Sequence, residues 1–124
     1  MIAKYEERKW GTATIIVNNR LYCGKILRIK KGFRTSLQYH KIKDETLYVQ
    51  TGCILMEYER NHKMYQMQMY PGEVIRIRPH ELHRFTGLCD SEIFEVSTQH
   101  FDDDTHQMEE GGRVPDESIV NCLR

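Results

Sequence analysis

"SLQYHKIKDETLYVQTG", residues 36–52, is the stretch on which the rest of the chain turns. Gln38 and His40 are two positions apart, so on a strand they point the same way, and Glu45, Leu47 and Val49 share one face of the strand that follows. The connection between them, "KIKD", is short enough to keep these groups close. If the shared face is turned inward, Glu45 lies at the mouth of a barrel with the aliphatics below it. A further ligand has to come from elsewhere, and His83, opening a strand after the turn "RPHELH", is the best candidate. Two imidazoles, a carboxylate and a neutral amide oxygen suit a divalent first-row metal such as Zn, Mn, Fe, Co or Ni. The spacing of Gln38, His40 and Glu45 fits the ordinary polar surface of a β protein equally well, and most histidines in soluble proteins are surface or satisfied groups. Spacing alone leaves both open.

On either side of this stretch, the chain consists of short β segments separated by turn residues. Residues 12–17 are rich in Thr, Ile and Val, and an Asn-Asn turn leads to a strand over 21–29. A strand over 35–39 opens the quoted stretch. Strand-like composition then runs through 45–60, broken at Gly52. "RNHK" is the tip of a hairpin flanked by "ILMEYE" and "MYQMQMY", whose methionines at spacing two predict core filling on a half-buried strand. Strands over 74–77, 82–86 and 91–97 follow, and almost no helical periodicity occurs. The expectation is an all-β barrel or sandwich. Past Gln99 the composition becomes acidic and glycine-containing, which predicts an ordered tail at best. "PDESIVNCL" could form one short helix with Pro115 near its start. The whole of 1–124 is expected to be one domain, with a barrel core of about 9–100 and a tail over 101–124.

Bulk properties narrow the function classes. A chain of 124 residues can bury a core without disulfides, and eighteen basic residues balance eighteen acidic ones. No long-range field therefore draws it to nucleic acid or to a membrane surface. "MIAKYEERKW" has no apolar run of the kind a signal peptide or anchor needs. The four cysteines (Cys23, Cys53, Cys89 and Cys122) form no CxxC pair, so reduced thiols in a cytoplasmic protein are expected.

The quoted stretch also resembles the first sequence motif of the cupins. Gly32, "FRTSL", Gln38, Tyr39, His40, "KIKD", Glu45, "TLYVQT" and Gly52 reproduce every spacing of that motif, with Gln38 where many cupins have histidine. "PGEVIRIRPHELHRF" resembles the second motif and places its histidine at His83. Arg78 stands at the usual proline, His80 at the usual glycine and Gly87 at the usual asparagine. "KWGTATII" is similar to the family's first strand, and "EVSTQHFDDD" with "GGR" to the last strand and tail of small sugar-phosphate cupins.

The resemblance implies a double-stranded β-helix, jelly-roll-like, with a divalent metal held by Gln38, His40, Glu45 and His83 near one mouth. The glutamine is similar to that of mannose-6-phosphate isomerase cupin domains, which implies aldose–ketose isomerisation of a sugar phosphate. Such chemistry needs a proton shuttle, for which His80, His106 and also His100 are candidates, and phosphate-binding cations. Lys25 stands where the isomerase-type domain has a lysine, and Arg34, Arg76, Arg78 and Arg84 surround the two motifs. The arginine of related tails "DDVVR" is replaced in "DDDTH" by His106, unless Arg113 takes its place. A metal-dependent cupin dioxygenase and a non-catalytic sugar-binding module are the competing classes. A homodimer is expected from the resemblance, with Tyr48, Tyr58 and Tyr70 on outward faces.

Overall fold

The computed structural model describes residues 1–115. The expected helix of "PDESIVNCL" and the fourth cysteine fall outside the described residues. In chain order the strands are β1 (Lys4–Arg8), β2 (Gly11–Asn18), β3 (Cys23–Ile29), β4 (Phe33–Arg34), β5 (Leu37–His40), β6 (Glu45–Thr51) and β7 (Ile54–Arg60). They continue with β8 (Lys63–Met69), β9 (Val74–Ile77), β10 (His83–Gly87), β11 (Ser91–Ser97), β12 (Thr105–Glu109) and β13 (Gly112–Arg113). A 3-10 turn, Asp102–Asp104, precedes β12.

Two antiparallel sheets face each other. One runs β1-β2-β3-β11-β6-β9, and the other runs β12-β5-β10-β4-β13, with the β7–β8 hairpin joined to β10. Strands far apart in sequence are neighbours, as in a jelly roll: β11 lies between β3 and β6, and β10 pairs with both β4 and β5. The β7–β8 turn places Asn61 and His62 at φ 51° and 64°, the two left-handed residues a tight two-residue hairpin needs. Gly52, which ends the first motif, has φ 89°, and a Cβ there would run into Ser91 and the Asp90 carbonyl. No other residue can hold that crossing.

Strand alternation divides the interior into two zones. Leu27, Ile29, Leu47, Val49, Ile54, Met56, Met69, Ile75, Ile77, Phe85 and Ile93 form a single buried apolar cluster. Each such side chain stabilises the fold by about 1.5–3 kcal/mol. Above it, the same strands present Lys25, Glu45, His83 and Glu95 inward, all buried. Lys25 precedes Leu27 on β3, Glu45 precedes Leu47 on β6, and His83 precedes Phe85 on β10.

Three expectations change. The sheet begins before residue 9, because the charged β1 pairs along its whole length with β2. The segment expected to be a tail instead supplies strands, β12 on β5 and β13 on β4, and buried Val114 follows them. The methionine stripe is core as expected, since Met69 is fully buried and Met67 packs on the cluster, while Met64, on the opposite face, is exposed. Tyr58 also differs from its expected outward position, since it follows buried Ile54 and Met56 on one face and packs against the core.

Candidate metal centre

The two interior zones meet at His40, Glu45 and His83. His40 ends β5, Glu45 begins β6 and His83 begins β10, so three strand ends converge at one mouth. Each of the three is 4% exposed or less. His83 Nε2 lies 3.1 Å from Glu45 Oε1, and His40 Nε2 lies 3.7 Å from Glu45 Oε2. One donor atom from each falls within 4.8 Å of the others. Ligands held at about 2.1 Å from one ion sit roughly 3–3.5 Å apart, so this spacing suits a shared divalent cation.

Both imidazoles are fixed by their far nitrogens. His40 Nδ1 lies 3.2 Å from the Asp104 carbonyl, and His83 Nδ1 lies 3.0 Å from the Glu81 carbonyl. Each Nδ1–H donates to its carbonyl, which leaves both Nε2 atoms turned to the carboxylate, the arrangement seen around ligating histidines. His40 Nε2 and Glu45 Oε2 are buried without a hydrogen bond. A buried nitrogen left unsatisfied, as His40 Nε2 is, is costly unless something binds it. A cation between the three side chains would satisfy both atoms, so the donor set fits a divalent metal.

The loop between the ligands is held from the tail. Asp104, buried before β12, accepts hydrogen bonds from the backbone N–H groups of Lys41, Ile42 and Lys43 at 2.9–3.2 Å. Burial opposes its charge, but these donors outweigh burial and hold its carboxyl below the ordinary value. Within that loop Lys43 turns inward and is 3% exposed. Its Nζ lies 2.9 Å from Glu95 Oε2 and 3.2 Å from His100 Nδ1. It also approaches Glu45 Oε2 at 3.0 Å, as an ion pair without the direction of a hydrogen bond.

Burial and the neighbouring Lys43 ammonium push His40 down to about 4. For His83 burial works the same way, but the hydrogen bond to Glu45 outweighs it and raises the imidazole. Glu45 lies below the ordinary carboxylate range, because the His83 hydrogen bond and the nearby positive groups overcome burial.

The site opens into a cavity of about 560 Å³ whose wall includes Gln38, Lys25, Glu95 and His100. Gln38 faces His83 in the strand register, and its Oε1 accepts a hydrogen bond from Ser36 Oγ at 2.6 Å. Lys25 is 8% exposed, and its ammonium makes no ion pair or hydrogen bond among the described residues.

Other predicted residues lie elsewhere. His80 and His106 both stack on Tyr39, at 6.5 and 5.0 Å between ring centroids. Tyr39 sits between inward Gln38 and inward His40, so both histidines belong to the outer surface and do not line the cavity. Arg76 and Arg84 also point outward, Arg76 onto Asp44 and Arg84 onto Glu57 and Glu109. Arg34, Arg78 and Arg113 are likewise absent from the cavity wall, which instead has Arg8 and Lys9 beside Trp10 at its rim. Lys43, Glu95 and Asp104 escaped sequence reasoning. Glu95 had a visible signal, since in "SEIFEVS" it alternates with Ile93 and so takes an inward position. Lys43 and Asp104 had none, because their burial depends on a contact between residues about sixty positions apart.

No family model and no curated protein matches the chain. Solved structures do. Oxalate decarboxylase from Bacillus subtilis superposes with a TM-score of 0.78 at 17% identity, over 86% of this chain and 30% of that one. The capsular polysaccharide assembling protein CapF from Staphylococcus aureus gives 0.72 at 18% identity, over 88% of this chain and 32% of the other. KdgF from Halomonas sp. gives 0.70 at 18%, over 81% of this chain and 89% of that one. The chain thus spans about a third of the first two proteins and most of the third. These likenesses establish the cupin fold.

Proposed function

We propose that the chain is a metal-dependent enzyme that isomerises a phosphorylated or otherwise anionic sugar, most concretely an aldose–ketose isomerase of the mannose-6-phosphate type. The observation that carries this reading is His40 Nε2, buried without a hydrogen bond beside Glu45 and His83 Nε2 at the head of a cavity that also holds Lys25. His40, Glu45 and His83 would hold the metal, with Gln38 as a fourth donor. Bound there, such an ion supplies Lewis acidity to a sugar oxygen.

The chain's own residues supply the rest. The volume suits a small metabolite, and the apolar plug beneath keeps water from below. Lys25, buried and unpaired, offers a cation for the negative charge of the substrate. Arg8 and Lys9 also line the cavity and would meet a phosphate there in exchange for their present partners, Glu6 and Glu110. With the metal's charge added to Lys25 and Lys43, against Glu45 and Glu95, the inner wall is net positive, which favours an anionic ligand.

Elemental mass spectrometry of chelator-free protein, followed by an assay for interconversion of mannose 6-phosphate and fructose 6-phosphate, tests the reading. About one divalent ion per chain and interconversion that stops on chelation are expected. A protein that takes up no metal on titration would refute it.

A further inference from the structure

The isomerase reading needs a group that moves a proton between neighbouring carbons, and the histidines do not supply it. His80 and His106 lie outside the cavity. His100 has both ring nitrogens engaged, Nδ1 with Lys43 Nζ and Nε2 with Asp102 Oδ1, each at 3.2 Å. In His40 and His83, Nδ1 is held by a backbone carbonyl and Nε2 faces the metal trio. Lys43 is bound between two carboxylates.

Three carboxylates are buried among the described residues, and two have a task. Glu45 belongs to the metal trio, and Asp104 caps the backbone of the loop that carries Lys43. The third is Glu95, 6% exposed on the inward face of β11. In the strand register it lies opposite Leu47, the next inward residue below Glu45, and opposite Lys25 on its other side. Its Oε2 accepts from Lys43 Nζ at 2.9 Å, and among the described residues no side-chain hydrogen bond reaches Oε1. A buried ion pair adds little net stability over well-packed apolar groups. One oxygen tethered and the other free, in the wall of a cavity, is the geometry of a positioned base.

We propose that Glu95 is the proton-transferring carboxylate of this site, oriented by Lys43 and with Lys25 beside it on the neighbouring strand. The inference rests on the isomerase reading and adds a catalytic residue to it. Glu95 Oε1 takes the proton from the carbon beside the carbonyl. The C–H electron pair becomes the new carbon–carbon double bond, and the carbonyl π pair moves onto its oxygen. The Lys25 ammonium offsets that negative charge. Glu95 then returns the proton to the former carbonyl carbon while one hydroxyl proton shifts between the two oxygens. No oxidant or reductant is consumed.

The test uses the full-length, metal-loaded protein in D2O, with mannose 6-phosphate, fructose 6-phosphate and a set of other aldose phosphates and uronates followed by proton NMR. Wild type is expected to wash out the proton at the carbon next to the carbonyl. Glu95→Gln should lower kcat for that exchange by at least about 100-fold, on the scale of general acid–base catalysis. Its metal content, circular dichroism and KM should stay close to wild type. Glu95→Asp, which keeps the charge but withdraws the oxygen, should recover part of the rate, and it serves as the decisive variant if the glutamine form does not fold. If Glu95→Gln exchanges within about threefold of wild type, Glu95 is not the base although the isomerase reading stands. If it loses metal and exchange together, the residue is structural and the proposal is likewise overturned. A wild-type protein that exchanges none of the sugars removes both readings at once.

Discussion

Along β6, Glu45 and Val49 sit on the same inward face, and both are buried, at 3% and 0% exposed. They belong to opposite kinds of interior. Around Val49 every neighbour in the cluster is apolar, and burial itself is the stabilising term. Around Glu45 stand two imidazoles and a lysine, and burial is a cost that only partners offset. The same contrast recurs between Lys25 and Ile29 on β3, and between His83 and Phe85 on β10. One side-chain period builds both zones, so the difference lies in composition alone. The plug holds the barrel closed, and the mouth uses that rigidity to keep costly groups in place.

The sharpest way to break this division is one substitution in each zone. Leu47→Ala removes plug volume and should cost about 2–5 kcal/mol in chemical denaturation, with metal per chain unchanged. Glu45→Gln and His83→Ala, two residues up the strand and across the mouth, should do the reverse: metal content falls towards zero while circular dichroism and cooperative unfolding persist. Retention of full metal in both mouth variants would sink the ligand assignment. Loss of metal in Leu47→Ala would show that the two zones are not separable.

Asp104 belongs to neither zone and tests how they are joined. It ties the tail to the loop between the ligands through three backbone donors, and its own carbonyl orients His40. Asp104→Ala should cost about 2 kcal/mol, the scale of hydrogen bonds to a charged acceptor. It should also weaken metal binding, measured by titration with Mn²⁺ or Zn²⁺. The carboxyl is held below its ordinary value, so its contribution is present in full above the unfolded value of about 3.9. That contribution is lost as pH falls through the folded value. The stability gap between wild type and Asp104→Asn should therefore narrow between about pH 7 and about pH 3. A gap that stays constant would mean the carboxylate charge is not what holds the loop.

How much of this was legible in the sequence follows from the range of the interactions involved. His40, Glu45 and His83 could be placed because strand alternation and two spaced motifs act over short distances, and the structure brings these three together. The hairpin tip and the strands over 74–77 and 91–97 were visible for the same reason. β1 was not, because "KYEER" has no apolar alternation and owes its strand to pairing with β2. The acidic tail was missed on similar grounds, since β12 and β13 are edge additions whose partners lie about seventy residues earlier. His80 and His106 misled because residue type suggests chemistry, while only the face of β5 decides which side of the sheet a neighbour occupies.

The finest comparison is between the two turns that deliver ligands, and it yields the smallest expected effect. The loop before Glu45 is held by a buried carboxylate, whereas the turn before His83 is held through His80, whose N–H donates to the His40 carbonyl at 2.6 Å. His80 stands where the second motif usually has glycine, and its φ of 71° is the left-handed conformation glycine adopts freely. A non-glycine residue there costs about 1–2 kcal/mol, part of which the stacking on Tyr39 and a lower unfolded-state entropy return. His80→Gly should therefore leave metal content untouched and stabilise the protein by roughly 0.5–1 kcal/mol, read as a shift in denaturation midpoint at constant slope. A destabilised variant would mean that the imidazole on Tyr39 contributes more than the backbone strain costs. The turn would then be held by its side chain, like the loop on the other side of the mouth.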